Sequence, residues 1–262
     1  VGGIIPGIIL TFTYMGYIAV RIQIQPHLVM GGVEVEKLPW SQCLRATLGA
    51  WPVAALFVGV MGSIYMGIAT PTEAAAIGCA LTLMIAGGYR LLTRDVMKRA
   101  LIGSVKTSTM VLCIFWGAKL MGIYLTYQQI TAKLAHMVLS QGLSPFAVLM
   151  LVVVLYLVLG MLMDALAAMV MTLPLTFPIV MALGYDPIWY GVLLTMLIEG
   201  GMLTPPVGMN LFILQGLRPE YPFIDLIKGA APFFLMLVLV IFVVIAFPEL
   251  ITFLPQTIFG GD

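Results

Sequence analysis

Charge is what this sequence is short of. Only 9% of its 262 residues are Asp, Glu, Lys or Arg, against about 25% in soluble domains, so there is too little charge to cover a water-facing surface. Twelve basic residues stand against 11 acidic ones, and a net charge of +1 offers no footprint for nucleic acid. Histidine is nearly absent as well. His27 and His136 have no ligand-spaced partners, and the three cysteines, Cys43, Cys79 and Cys113, are far apart with no C-x-x-C, so neither a metal site nor a disulfide framework is indicated. In their apolar contexts the cysteines read as small buried residues. A Met start and a basic leader are lacking too; the chain opens inside an apolar run, which reads as a piece of a longer polypeptide.

What is abundant is apolar sequence: 62% of residues are hydrophobic and the mean hydropathy is +1.12. A helix crossing a bilayer needs about 20 apolar residues, because each backbone polar group must find its partner within the segment. Candidate segments run over 4–20, 48–68, 74–88, 107–126, 146–163, 165–183, 188–217 with a break in its middle, and 230–248, joined by charged connections at 21–47, 89–106 and 218–228. Basic residues collect in cytoplasmic loops. Arg90, Arg94, Lys98, Arg99 and Lys106 put one connection there, Arg21, Lys37 and Arg45 a second, and Arg218 with Lys228 a third. The stretch 127–144 and the tail after Pro248 fall outside. Gly160, Pro174 and Pro178 interrupt the pair 146–183, which reads as a re-entrant hairpin.

Ionisable groups inside such segments cost at least about 2.5 kcal/mol each and ask for a reason. Glu73, Lys119, Asp164 and Glu199 are the four. Asp164 sits at the hairpin turn, where it reads either as a transport carboxylate or as the cap of the second arm. Thr72 reads as a cap for a helix starting near Ala74, with Glu73 in its first turn, and Lys119 as a side chain that snorkels or meets substrate. The sharpest signal is the run from Glu199 to Asn210, with Gly200, Gly201, Pro205, Pro206 and Gly208 inside it. Two prolines remove two donors and the glycines loosen the turn, so the helix must unwind. Unwound backbone in a membrane lines cavities, where its carbonyls coordinate cations and the next half-helix faces anions. Thr204 adds a hydroxyl and Asn210 an amide there.

The motif from Thr204 through Pro205, Pro206, Gly208 and Asn210 to Phe212 resembles the signature of the large membrane subunit of tripartite ATP-independent periplasmic (TRAP) transporters. So do Ala69 to Ala76, the Gly-x-x-x-Asp of Gly160 to Asp164, Gly184 to Pro187, and Pro232 to Phe234 with Phe247-Pro248. The resemblance covers nearly the whole chain and implies the C-terminal part of that subunit, including the second of two inverted repeats. It implies an all-α polytopic membrane protein of the elevator type, with a re-entrant hairpin and broken helices. It further implies sodium-driven import of a small organic acid, of C4-dicarboxylate or sialic acid type, with no enzymatic activity and no organic cofactor. The implied partners are a small membrane subunit, a soluble periplasmic binding protein, the N-terminal half of the same subunit and the lipid bilayer. The implied location is the bacterial inner membrane, with a periplasmic C-terminus. Carried over by position, the sodium site falls on Gly160, Gly201, Thr204 and Val207, and Asp164 with Asn210 on substrate or coupling. The corresponding division is scaffold and interfacial helices over 1–106, a connecting helix and outer loop over 107–144, a transport element over 145–217, and a final helix and tail over 218–262.

Two other readings start from the same residues. An intramembrane aspartyl protease needs two carboxylates sharing a proton, and the only partner for Asp164 is Asp186, at a helix boundary. A passive channel, or another ion-coupled anion transporter of related architecture, also accommodates a broken helix, although a hairpin opposite the break suits alternating access better.

Overall fold

The computed structural model describes residues 1–25, 49–130, 133, 144–205, 208–217 and 220–259. Among them are ten helices and no strand. In chain order these are α1 (Ile4–Ile24), α2 (Trp51–Tyr65), α3 (Pro71–Gly88), α4 (Arg94–Tyr127), α5 (Pro145–Leu162), α6 (Ala165–Ala182), α7 (Pro187–Met202), α8 (Met209–Leu217), α9 (Phe223–Ala246) and α10 (Glu249–Phe259). Six of them, α1, α3, α4, α5, α6 and α9, are long and apolar enough to cross a membrane. The protein is thus an all-helical, multi-pass membrane protein.

The chain divides into two compact units, one of residues 27–109 and one of residues 1–26 with 110–262. In the first, α2 packs along α3. Thr70 is the N-cap of α3: it accepts from the Glu73 N–H, while the Glu73 carboxylate accepts from the Thr70 N–H at 2.8 Å. The pair forms a reciprocal capping box around Pro71 at the first helical position. The cap expected at Thr72 is therefore at Thr70, two residues earlier, because Pro71 presets the first helical turn. The charged stretch expected as a connection over 89–106 is helical from Arg94 and continuous with the segment that follows.

In the second unit α7 is the centre. It packs most extensively on α5 and also touches α6, α8, α9 and α10. Trp189, Tyr190, Leu193, Leu194, Leu197 and Ile198 of α7 are all buried, against Leu149, Val152, Val153 and Tyr156 of α5 and Leu237, Val240, Ile241 and Val244 of α9. A helix that is apolar over most of its circumference takes a central place of this kind. The Trp189 indole N–H donates to the Val244 carbonyl at 3.1 Å, satisfying the one polar atom of that ring.

Two expectations change here. The prolines do not interrupt the second hairpin arm: α6 runs unbroken through Pro174 and Pro178. Each arm has 18 residues, about 27 Å of helix at 1.5 Å per residue. Cys79 and Cys113 are exposed rather than buried, and Cys43 lies outside the described residues. Apolar context reports burial in water-soluble proteins only; in a membrane helix the lipid-facing side is as apolar as the core.

Candidate functional site

The site grows from the point where α5 crosses α7. A Cβ built on Gly201 falls 2.6 Å from the Gly160 Cα and 2.9 Å from the Leu157 carbonyl oxygen. One built on Gly160 falls 2.9 Å from the Gly201 Cα and 3.0 Å from the Ile198 oxygen. The two backbones touch, and no other residue fits at either position. Gly200 meets side chains rather than backbone, those of Leu157, Phe234 and Leu237. Helix α5 ends two residues after Gly160, so its last carbonyls, from Gly160 on, have no donor within the helix.

Beyond Gly201 the backbone tightens before it breaks. Leu203 N–H donates to the Gly200 oxygen and Thr204 N–H to the Gly201 oxygen, both three residues back. The Thr204 hydroxyl lies 2.9 Å from each of the same two carbonyls, and the residue is only 8% exposed. One proton serves two acceptors, which leaves the hydroxyl's lone pairs free for a cation. At Gly208 the chain turns with φ +45°, and a Cβ there would approach the Thr204 oxygen to 2.9 Å, so only glycine makes the turn into α8. Gly160, Gly201 and Thr204 are thus brought to one crossing; Val207 lies outside the described residues.

Asp164 and Asn210 are held by hydrogen bonds of their own. Asp164 is the N-cap of α6, accepting from the Leu166 N–H at 3.0 Å. Asp186 does the same for α7, accepting from Ile188 and Trp189. The two aspartates serve separate helix starts, so no shared-proton pair is formed. Asn210 donates to the Glu199 carboxylate at 3.1 Å. This bond spans the break from α8 back to α7, and Glu199 also acts electrostatically on Tyr14 of α1. The sequence marks Glu199 as a misplaced charge but does not show its partner. On a continuous helix an eleven-residue spacing is three turns on one face; the intervening break hid that signal. Lys119 lines an open groove of about 640 Å³ with Phe115, Ile123, Val170 and Pro174. Among the described residues, no group of His, Cys, Asp and Glu side chains is arranged to hold a metal.

A tight glycine crossing beside a broken helix, in a multi-pass bundle, places the chain among polytopic membrane proteins with discontinuous helices. Residues 1–250 match the family described as tripartite ATP-independent periplasmic transporter, DctM component, and the chain belongs to that family. It is 32% identical over its whole length to the C4-dicarboxylate TRAP transporter large permease protein DctM of Vibrio cholerae, and 32% identical over 98% of its length to the DctM of Pseudomonas aeruginosa. It is 28% identical over 98% of its length to the sialic acid TRAP transporter permease protein SiaT of Haemophilus influenzae. The chain spans 61%, 59% and 41% of the lengths of these three proteins.

Proposed function

We propose that this chain is the second-repeat part of the large subunit of a sodium-coupled importer of small organic acids. In this reading the hairpin α5–α6 and the broken pair α7–α8 form the moving element of an elevator. A sodium ion is held by backbone oxygens near Gly160, Gly201 and Val207 with the Thr204 hydroxyl, and the start of α8 faces the anion. Asp164 and Asn210 belong to coupling or substrate. A periplasmic binding protein delivers the acid, while a small membrane subunit and the N-terminal half of the same subunit complete the transporter. It works in the inner membrane of a bacterium with its C-terminus on the periplasmic side. C4-dicarboxylates and sialic acids are the substrate classes that the relatives' names support.

The observation that carries the reading is the buried Thr204 hydroxyl at the end of a helix whose Gly201 touches the hairpin at Gly160. The test uses the full-length transporter in liposomes. Thr204→Ser keeps the hydroxyl and is expected to hold the half-saturating sodium concentration. Thr204→Val removes it and is expected to raise that concentration at least about tenfold, the weight of one polar contact to a charge. Equal sodium dependence in the two variants overturns the ligand assignment. Labelled substrate should also exchange against its gradient, which a passive channel does not support.

A further inference from the structure

Three hydroxyls from the two hairpin arms meet inside the core. Tyr156 of α5 lies 2.9 Å from the Thr176 hydroxyl and 2.6 Å from the Thr172 hydroxyl of α6. Each threonine also reaches a carbonyl four residues back: Thr172 the Ala168 oxygen at 2.6 Å, Thr176 the Thr172 oxygen at 3.1 Å. Thr172 shares its proton between the Ala168 oxygen and the Tyr156 hydroxyl, and Thr176 donates to the Thr172 oxygen. The Tyr156 proton then goes to the Thr176 hydroxyl. The Thr176 oxygen accepts that one proton and keeps a second lone pair free.

A fourth hydroxyl is at hand. Tyr190 of α7 is wholly buried, and its oxygen makes no hydrogen bond. Its ring lies 6.3 Å from that of Phe177, next to Thr176, and its hydroxyl interacts electrostatically with Tyr156 and Thr176. A buried hydroxyl without a partner costs about 1–3 kcal/mol, and no water stands by to relieve it in a membrane core. The cluster thus has a free acceptor position on Thr176, and beside it a buried donor, Tyr190, without an acceptor.

We infer that Tyr190, together with Tyr156, donates to Thr176, closing a four-hydroxyl network that pins both hairpin arms to α7 and sets the register of Gly160 against Gly201. The crossing needs such a device. Two glycines permit close approach but offer no side chains to interlock, so the helices slide past one another at little cost. A directional network specifies one register where the glycines allow many. Tyr156 precedes Gly160 by one helical turn and so lies on the same face of α5. Tyr190 acts through the backbone it aligns and touches no ion, which makes it a positioning residue. Its effect on sodium rests on the reading of the site given above.

A double-mutant cycle in the full-length transporter tests this. Tyr190→Phe should lower the thermal midpoint in detergent, and that loss should vanish in a Thr176→Val background, because the acceptor is already gone. The half-saturating sodium concentration should rise about two- to tenfold in Tyr190→Phe, the range of one hydrogen bond. An unchanged or higher midpoint in Tyr190→Phe overturns the network, since removing an orphaned hydroxyl relieves its penalty. Equal losses in both backgrounds overturn it too. Coupled midpoints with unmoved sodium dependence reduce the network to fold stability and remove the positioning role. A wild-type transporter with no response to sodium defeats the sodium reading alone, and the thermal cycle still decides the network.

Discussion

The crossing of α5 with α7 and the pairing of α2 with α3 use the same residue type in two different ways. In the α2–α3 pair a Cβ on Gly59 would meet the Leu81 Cδ1 at 2.5 Å, and one on Gly78 the Val60 Cγ2 at 2.9 Å. Each glycine is a notch that receives the end of a side chain. At the α5–α7 crossing each glycine meets backbone. A leucine end turns to another rotamer at a cost of about 1 kcal/mol, whereas two backbones in contact separate only if the helices do. The surroundings differ in the same sense: half of the residues of α7 are buried, whereas Ala74 is the one buried residue among those described in α2 and α3.

The largest expected effect breaks this comparison at its centre. Gly201→Ala should abolish uptake by the full-length transporter and lower its thermal midpoint, because its Cβ has nowhere to go. Gly59→Ala should retain most of the uptake. Equal tolerance at the two positions, measured by transport and by midpoint together, shows that the backbone contact does not govern the site.

The two capping aspartates sharpen the comparison next. Asp164 and Asp186 hold equivalent N-cap positions on successive helices, and Asn is a comparable cap of nearly equal size. Geometry alone gives Asp186→Asn and Asp164→Asn the same small effect. The transport reading separates them: Asp186→Asn should keep near-normal uptake, and Asp164→Asn should lose sodium-driven uptake while still inserting and eluting as one species. Near-normal uptake by both variants demotes Asp164 to a cap and leaves coupling to the Gly201–Gly208 break.

How far the sequence reached follows from what each signal depends on. Gly200, Gly201 and Gly208 act through the backbone, so their arrangement with the prolines announced the break, and α7 indeed ends at Met202 with α8 starting at Met209. The helices themselves were legible because each backbone must satisfy itself locally. Which helix faces are buried was not, since lipid and protein core select the same residues; Cys79 and Cys113, in apolar runs yet exposed, are the measure of that. The hydroxyl cluster was hidden for another reason. Thr172 and Thr176 share a helix face and could be paired by spacing, but Tyr156 and Tyr190 join them only through tertiary packing. The Glu199–Asn210 bond likewise depends on how the chain returns after unwinding.

The smallest expected effect lies in the α2–α3 pair, at the Thr70–Glu73 box. Here every interaction is local. The Thr70 N–H and hydroxyl both donate to the Glu73 carboxylate at 2.8 Å, and the Glu73 N–H donates weakly to the Thr70 hydroxyl at 3.4 Å. Both side chains are exposed, so solvent and lipid headgroups compete for the same groups. Thr70→Ala removes the cap, and one cap is about 1 kcal/mol, which in a protein of this size is a fall of about 1–3 °C in the midpoint. Thr70→Ser should restore it. Glu73→Gln keeps the box, because glutamine still accepts from the N-cap amide, and it removes only the charge. If the box is all that Glu73 contributes, uptake by Glu73→Gln is unchanged at every sodium concentration. A loss of uptake with an unmoved midpoint would give the Glu73 charge a part in transport, and the α2–α3 pair would no longer be the purely structural half of the comparison.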